Sequence, residues 1–241
     1  MSELRMTLVE HLVELRKRLI IVAVALVATG AVAYTFAPAT RAFFTRPAGS
    51  IKLVYLSPTE ALTTDIKISF LVGLLVASPL ILYQLWAFVA PGLHSWERAQ
   101  LWPLALASTV LFFAGAAFSY YAVLPLAIRF VLGFATPDLQ ALFSYSRYIS
   151  FVTSIILSFG LIFQLPLGVL FLARLGLVTA PGLRRSRRYA ILVIFIVAAI
   201  LTPPDVLSQI LMAAPMVALY EISIWLAHLV RAQEKATKDN K

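Results

Sequence analysis

The chain has 241 residues, 61% hydrophobic and only 13% charged, with a mean hydropathy of +0.90 and a formal net charge of +9. A soluble domain carries about 25% charged residues, so an ordinary water-soluble fold is excluded and an all-α polytopic membrane protein is expected. It has no cysteine, which excludes disulfides, thiolate catalysis and cysteine metal sites.

The N-terminal segment reads as a cytoplasmic amphipathic helix over residues 1–18. Thr7 and Glu10 have capping-box spacing, and Leu8, Leu12, Leu15 and Leu19 form one stripe. Glu10, Glu14 and Arg18 fall on another stripe at i, i+4 spacing. A first apolar run follows at residues 19–37, with no cleavage site after it, so no cleavable signal peptide is expected. Ser57-Pro58-Thr59-Glu60 reads as N-cap, N1 proline and N3 carboxylate of a second helix, whose apolar run is 66–90. From Ser57 to Val89 such a helix is ~48 Å long, beyond the ~30 Å hydrocarbon core. It must tilt or project outward, with Asp65 and Lys67 near the water interface and a kink at Pro79.

Further runs lie at 104–123 and 148–173, the last interrupted by Gln164 and Pro166. Between them, Thr136-Pro137-Asp138 opens a short outer helix. The fifth run, 189–201, covers only ~20 Å and is separated from the sixth, 206–227, by Thr202-Pro203-Pro204-Asp205. A short fifth span and a re-entrant hairpin both fit this pattern. The whole is one transmembrane domain, 1–241, with a six-span bundle over 19–227 and a tail over 228–241.

Six spans put both termini on one side. That side holds Arg5, Arg16, Lys17, Arg18, Arg98, Arg174, Arg184, Arg185, Arg187, Arg188, Arg231, Lys235, Lys238 and Lys241. The other holds Arg41, Arg46, Lys52, Lys67, Arg129 and Arg147. The positive-inside rule therefore places both termini in the cytoplasm. Topology accounts for the basic excess, and no nucleic-acid partner is implied.

Few polar residues remain to carry function. Glu14 and Glu97 both fall at the cytoplasmic boundary, among arginines. Taken singly, each has a bland role: an i+4 partner for Arg18, and a first-turn acid after Ser95. Gln164 can satisfy backbone freed by Pro166, or meet a partner. Asp205 reads as an N3 cap after Thr202. Gln209 is less easily explained, and Glu221 has no local cation before His228 or Arg231. The three histidines lack ligand spacing, no nucleophile motif or phosphate loop occurs, and neither an enzyme nor a cofactor is expected.

At these residues the chain resembles the TatC family, the core subunit of the twin-arginine protein translocase. The stretches are His11-Leu12-Val13-Glu14-Leu15-Arg16-Lys17-Arg18, Ser57-Pro58, Tyr83-Gln84-Leu85-Trp86-Ala87-Phe88-Val89-Ala90-Pro91-Gly92-Leu93 with Glu97-Arg98, and Leu201-Thr202-Pro203-Pro204-Asp205-Val206-Leu207-Ser208-Gln209. The resemblance implies a concave, glove-like bundle in a bacterial or archaeal cytoplasmic membrane, its last two helices short spans. It implies recognition of twin-arginine signal peptides of folded cargo by Glu14 and Glu97, with Phe88, Pro91 and Leu93 around them. It implies single-span TatA and TatB partners in homo- and hetero-oligomers, in contact with membrane lipid. Gln164 stands where the family often has a glutamate; with Asp205 and Gln209 it is a candidate intramembrane polar contact. A secondary transporter or channel is the alternative, and it would require repeats and facing buried charges that the sequence lacks.

Overall fold

The computed structural model describes residues 8–49, 51–89, 101–133, 142–201 and 206–239. Its helices are α1 (Leu8–Thr35), α2 (Ala37–Thr45), α3 (Glu60–Val89), α4 (Leu101–Phe118), α5 (Leu124–Leu132), α6 (Tyr145–Ile162), α7 (Leu165–Arg174), α8 (Ala180–Arg185), α9 (Arg187–Leu201) and α10 (Val206–Asp239). Two-residue strands β1 (Leu53–Val54) and β2 (Phe143–Ser144) pair in parallel. Four stretches are long and apolar enough to cross a membrane: Val9–Thr35, Glu60–Val89, Leu101–Leu132 and Tyr145–Arg174. Two shorter apolar helices follow, α9 with 15 residues and Met212–His228 within α10.

By internal packing the chain divides into two units, Met1–Phe113 with Leu142–Thr153, and Ala114–Ala141 with Ser154–Lys241. In the first, α1 lies along α3. The amphipathic segment and the first span are one unbroken helix, so α1 is not a separate interfacial element joined to a span. Glycine makes the contact close. A Cβ at Gly73 would stand 2.6 Å from Gly30 N. Beside it, Thr29 Oγ1 donates to Gly73 O at 2.8 Å. Helices in lipid associate through such small-residue packing, because burial of apolar surface gives no net drive there. Pro79 does not end α3; it frees the Leu75 carbonyl, which Ser78 Oγ takes at 2.7 Å.

The far end of the first unit is a polar lock. Glu60 is 7% exposed and accepts from Leu56 N (2.6 Å), Ser146 N (2.8 Å) and Ser144 Oγ (2.5 Å). Glu60, expected at N3 of a helix capped by Ser57, is instead the first residue of α3; it reaches back to Leu56 N and also satisfies a first-turn N–H of α6. Asp65 accepts Nε (3.1 Å) and Nη2 of Arg41, and Tyr145 Oη at 3.3 Å. The hydrogen bond to Asp65 holds the Arg41 guanidinium above its ordinary pKa.

In the second unit, α10 packs against α7, α8 and α9. Ala180, Ile224 and Ala227 form a buried cluster with Val169, Ala173, Leu183 and Tyr220 around it. At Gly115 a Cβ would lie 2.5 Å from Phe159 O, so this crossing also needs glycine. The fourth apolar run breaks at Phe163–Gln164, between α6 and α7.

Candidate functional site

Of the residues singled out in the sequence, Glu14 and Phe88 lie at one end of the α1–α3 pair. The heptad-like spacing of α1 puts Glu14 and Arg18 on one face, four residues apart. Arg18 donates to Glu14 Oε1 through Nε at 3.0 Å and Nη2 at 2.5 Å. Its remaining arm, Nη1, donates to Gln84 Oε1 of α3 at 2.8 Å. One turn earlier, His11 stacks on Phe88 with ring centroids 4.3 Å apart. Trp86, between Gln84 and Phe88, turns the other way and donates Nε1 to Ser108 Oγ of α4 at 2.6 Å. The Tyr83–Leu93 motif therefore has two faces. Trp86 anchors α3 to α4, while Gln84 and Phe88 build a polar corner against α1.

That corner is incompletely satisfied. Glu14 Oε2 is shielded from solvent and has no hydrogen-bond partner among the described residues. The other such side-chain atoms are hydroxyls, Thr64 Oγ1 and Thr153 Oγ1. An ionised carboxylate has about four acceptor sites, and both hydrogen bonds of Glu14 fall on one oxygen. An unfilled acceptor on a shielded charge costs free energy, so Glu14 is primed for a further donor. A guanidinium is the natural one: its planar fork matches a carboxylate bidentately, as Arg18 partly shows in cis.

The other sequence candidates separate. Phe88 is part of the corner; Glu97, Pro91 and Leu93 lie outside the described residues, as do Asp205 and the Thr136–Asp138 segment. Gln164 stands half-buried at the N-cap position of α7 without a side-chain capping bond, and its Nε2 donates back to Gly160 O at 3.4 Å. The Gln164 backbone N–H turns to Leu161 O at 2.9 Å, which leaves the Gly160 carbonyl to the side chain. Gln209 Nε2 donates to Phe195 O at 2.9 Å, tying α10 to α9. Glu221 does have a cationic partner: Arg187 Nη2 reaches its Oε2 at 2.7 Å. Spacing along α10 could not show a bond spanning 34 residues. Sequence reasoning also missed Gln84 as a member of the corner. Its place one turn before Phe88, on a helix facing α1, was the available signal.

Residues 10–215 match the family described as Sec-independent protein translocase protein (TatC). The chain belongs to the TatC family. It is 40% identical over 245 residues to the TatC protein of Magnetococcus marinus, covering 98% of this chain and 90% of that one. With the Aquifex aeolicus TatC protein it shares 42% identity over 236 residues, covering 95% and 98%. It superposes on a crystal structure of the twin arginine translocase receptor TatC with a TM-score of 0.84 at 42% identity, covering 92% of this chain and 100% of that one. A second crystal structure of that receptor, in DDM, gives 0.83 at 42% identity. TatC membership makes the chain a multi-pass membrane component of a protein translocase, and the transporter or channel alternative is not favoured. Six membrane helices, four long and two short, fit that family.

Proposed function

We propose that the chain is the receptor and core subunit of a twin-arginine translocase, lying in the cytoplasmic membrane with both termini inside. Its Glu14 and Glu97 bind the two arginines of a signal peptide, with Phe88, Pro91 and Leu93 forming the adjoining apolar surface. The single observation that carries the reading is the Glu14 carboxylate, held on one oxygen by Arg18 and unpartnered on the other. With its side chain 18% exposed, Glu14 needs only a local rotation, or movement of Arg18, to present that oxygen. Each charge-assisted contact contributes about 1.5–3 kcal/mol, reduced by exposure. Gln164, Asp205 and Gln209 are assigned to contacts within the membrane, and TatA and TatB to the single-span partners. The role is binding and assembly, not catalysis.

The test is photo-crosslinking of a twin-arginine signal peptide, with the probe beside the arginine pair, to the full chain in membranes. Adducts at the α1–α3 corner and the 90–100 segment are expected, and they fall sharply when both signal arginines are lysines. Adducts only elsewhere, or equal labelling by the lysine peptide, would overturn the reading.

A further inference from the structure

Lys67 lies well inside α3, yet no carboxylate pairs with it among the described residues. Its nearest acids, Glu60 and Asp65, are already filled by Ser144, Ser146 and Arg41. Lys67 Nζ instead donates to two neutral hydroxyls of α6, Ser146 Oγ at 3.1 Å and Ser150 Oγ at 3.2 Å. An ammonium has three N–H donors, so one remains, and each serine still has its own O–H to give. Three donors therefore converge on one exposed spot around a single positive charge.

The depth of that spot matters. A 30-residue α3 is ~45 Å long, about 15 Å more than the hydrocarbon core. The charged residues of α3 are Glu60, Asp65 and Lys67; residues 68–89, ~33 Å of helix, carry no charge. The surplus then falls on roughly the first ten residues of α3, which sets Lys67 level with lipid phosphates. An apolar groove of about 390 Å³ runs between α1 and α3, lined by Leu26, Val27, Gly30, Tyr34, Phe70 and Ile66, the residue that precedes Lys67. Gly30 leaves its floor open: a Cβ there would meet nothing nearer than Ser69 O at 3.8 Å. On the helical wheel Phe70 stands between the groove and Lys67.

We propose that Lys67, Ser146 and Ser150 form a phosphate cradle for one membrane phospholipid, with an acyl chain of that lipid lying in the α1–α3 groove. Charge complementarity selects the phosphate, and the adjoining apolar groove selects a lipid over a free anion. The bound lipid belongs to the outer leaflet; only this last point rests on the topology proposed above.

The test is native mass spectrometry of the full chain in detergent, titrated with phosphatidylglycerol. Diacylglycerol of the same chains and inorganic phosphate serve as competitors. No signal peptide is present, so the result is independent of the receptor reading. Lys67→Gln should weaken phosphatidylglycerol binding about fivefold, the conversion of ~1 kcal/mol per basic residue at a lipid surface. Lys67→Arg should retain it. Gly30→Leu should weaken it by filling the groove, and circular dichroism should confirm an unchanged helix content. Unchanged binding in Lys67→Gln would overturn the cradle, as would equal competition by diacylglycerol. Displacement by inorganic phosphate at equal concentration would show a free-anion site and overturn the lipid assignment. If subunit crosslinks change in Lys67→Gln while lipid binding does not, the lysine serves a protein carboxylate and the proposal is wrong.

Discussion

Opposite ends of α3 hold carboxylates in opposite conditions. At its start, Glu60 and Asp65 are each filled on both oxygens by donors from outside their own helix. Near its finish, Gln84 holds Arg18 against Glu14, a carboxylate with one oxygen unfilled. All three acids are in a chain with only 11 acidic residues, where each must justify its cost. A carboxylate with donors on both oxygens, three in all on each of Glu60 and Asp65, is a structural tie. A half-filled one, as at Glu14, keeps an oxygen open to a further donor, which is what the proposed binding role requires.

The largest effect that would sharpen this comparison is on stability. Asp65→Asn should cost about 1–2 kcal/mol, because it removes the carboxylate that binds the half-exposed Arg41 guanidinium through two N–H groups. Chemical unfolding in mixed micelles would measure it. Glu14→Gln should change the same measurement by less than about 0.5 kcal/mol, as befits an i, i+4 pair near a surface. If the two losses were alike, the division into tie and binding group would fail.

Next is binding. Glu14→Gln should weaken association with a twin-arginine signal peptide by roughly tenfold, about 1.4 kcal/mol, in an equilibrium titration with labelled peptide. Asp65→Asn should leave that affinity unchanged in protein that remains folded. A smaller effect tests a surface tie in the second unit. Arg187 and Glu221 are 47% and 42% exposed, so Glu221→Gln should shift stability by at most ~0.5 kcal/mol and leave signal binding alone.

The sequence revealed what local spacing can reveal. Apolar runs located the long helices, the i, i+4 rule paired Glu14 with Arg18, and Ser57–Glu60 placed the start of α3 two residues early. It could not show that Glu60 also serves Ser144 and Ser146, more than 80 residues away. Arg187 with Glu221 and Gln209 with Phe195 O were hidden for the same reason. Such pairs depend on which helices pack together, and a membrane helix gives a weak pattern for that because its lipid-facing and buried faces are both apolar. The continuity of α1 was missed because a polar-striped segment and an apolar one look like separate elements, while backbone hydrogen bonds carry the helix through both. At the candidate site, the two acids could be named from the chain and its family resemblance. The unfilled oxygen of Glu14 required coordinates.

In the proposed function Glu14 and Glu97 together read the arginine pair. The direct measurement is signal-peptide affinity for arginine and lysine versions, in the native chain and in the Glu14→Gln/Glu97→Gln double variant. The carboxylates select a planar fork, so the native chain should prefer arginine by tenfold or more, and the double variant should lose most of that preference. An arginine preference of equal size in both proteins would contradict the account, even if transport were abolished.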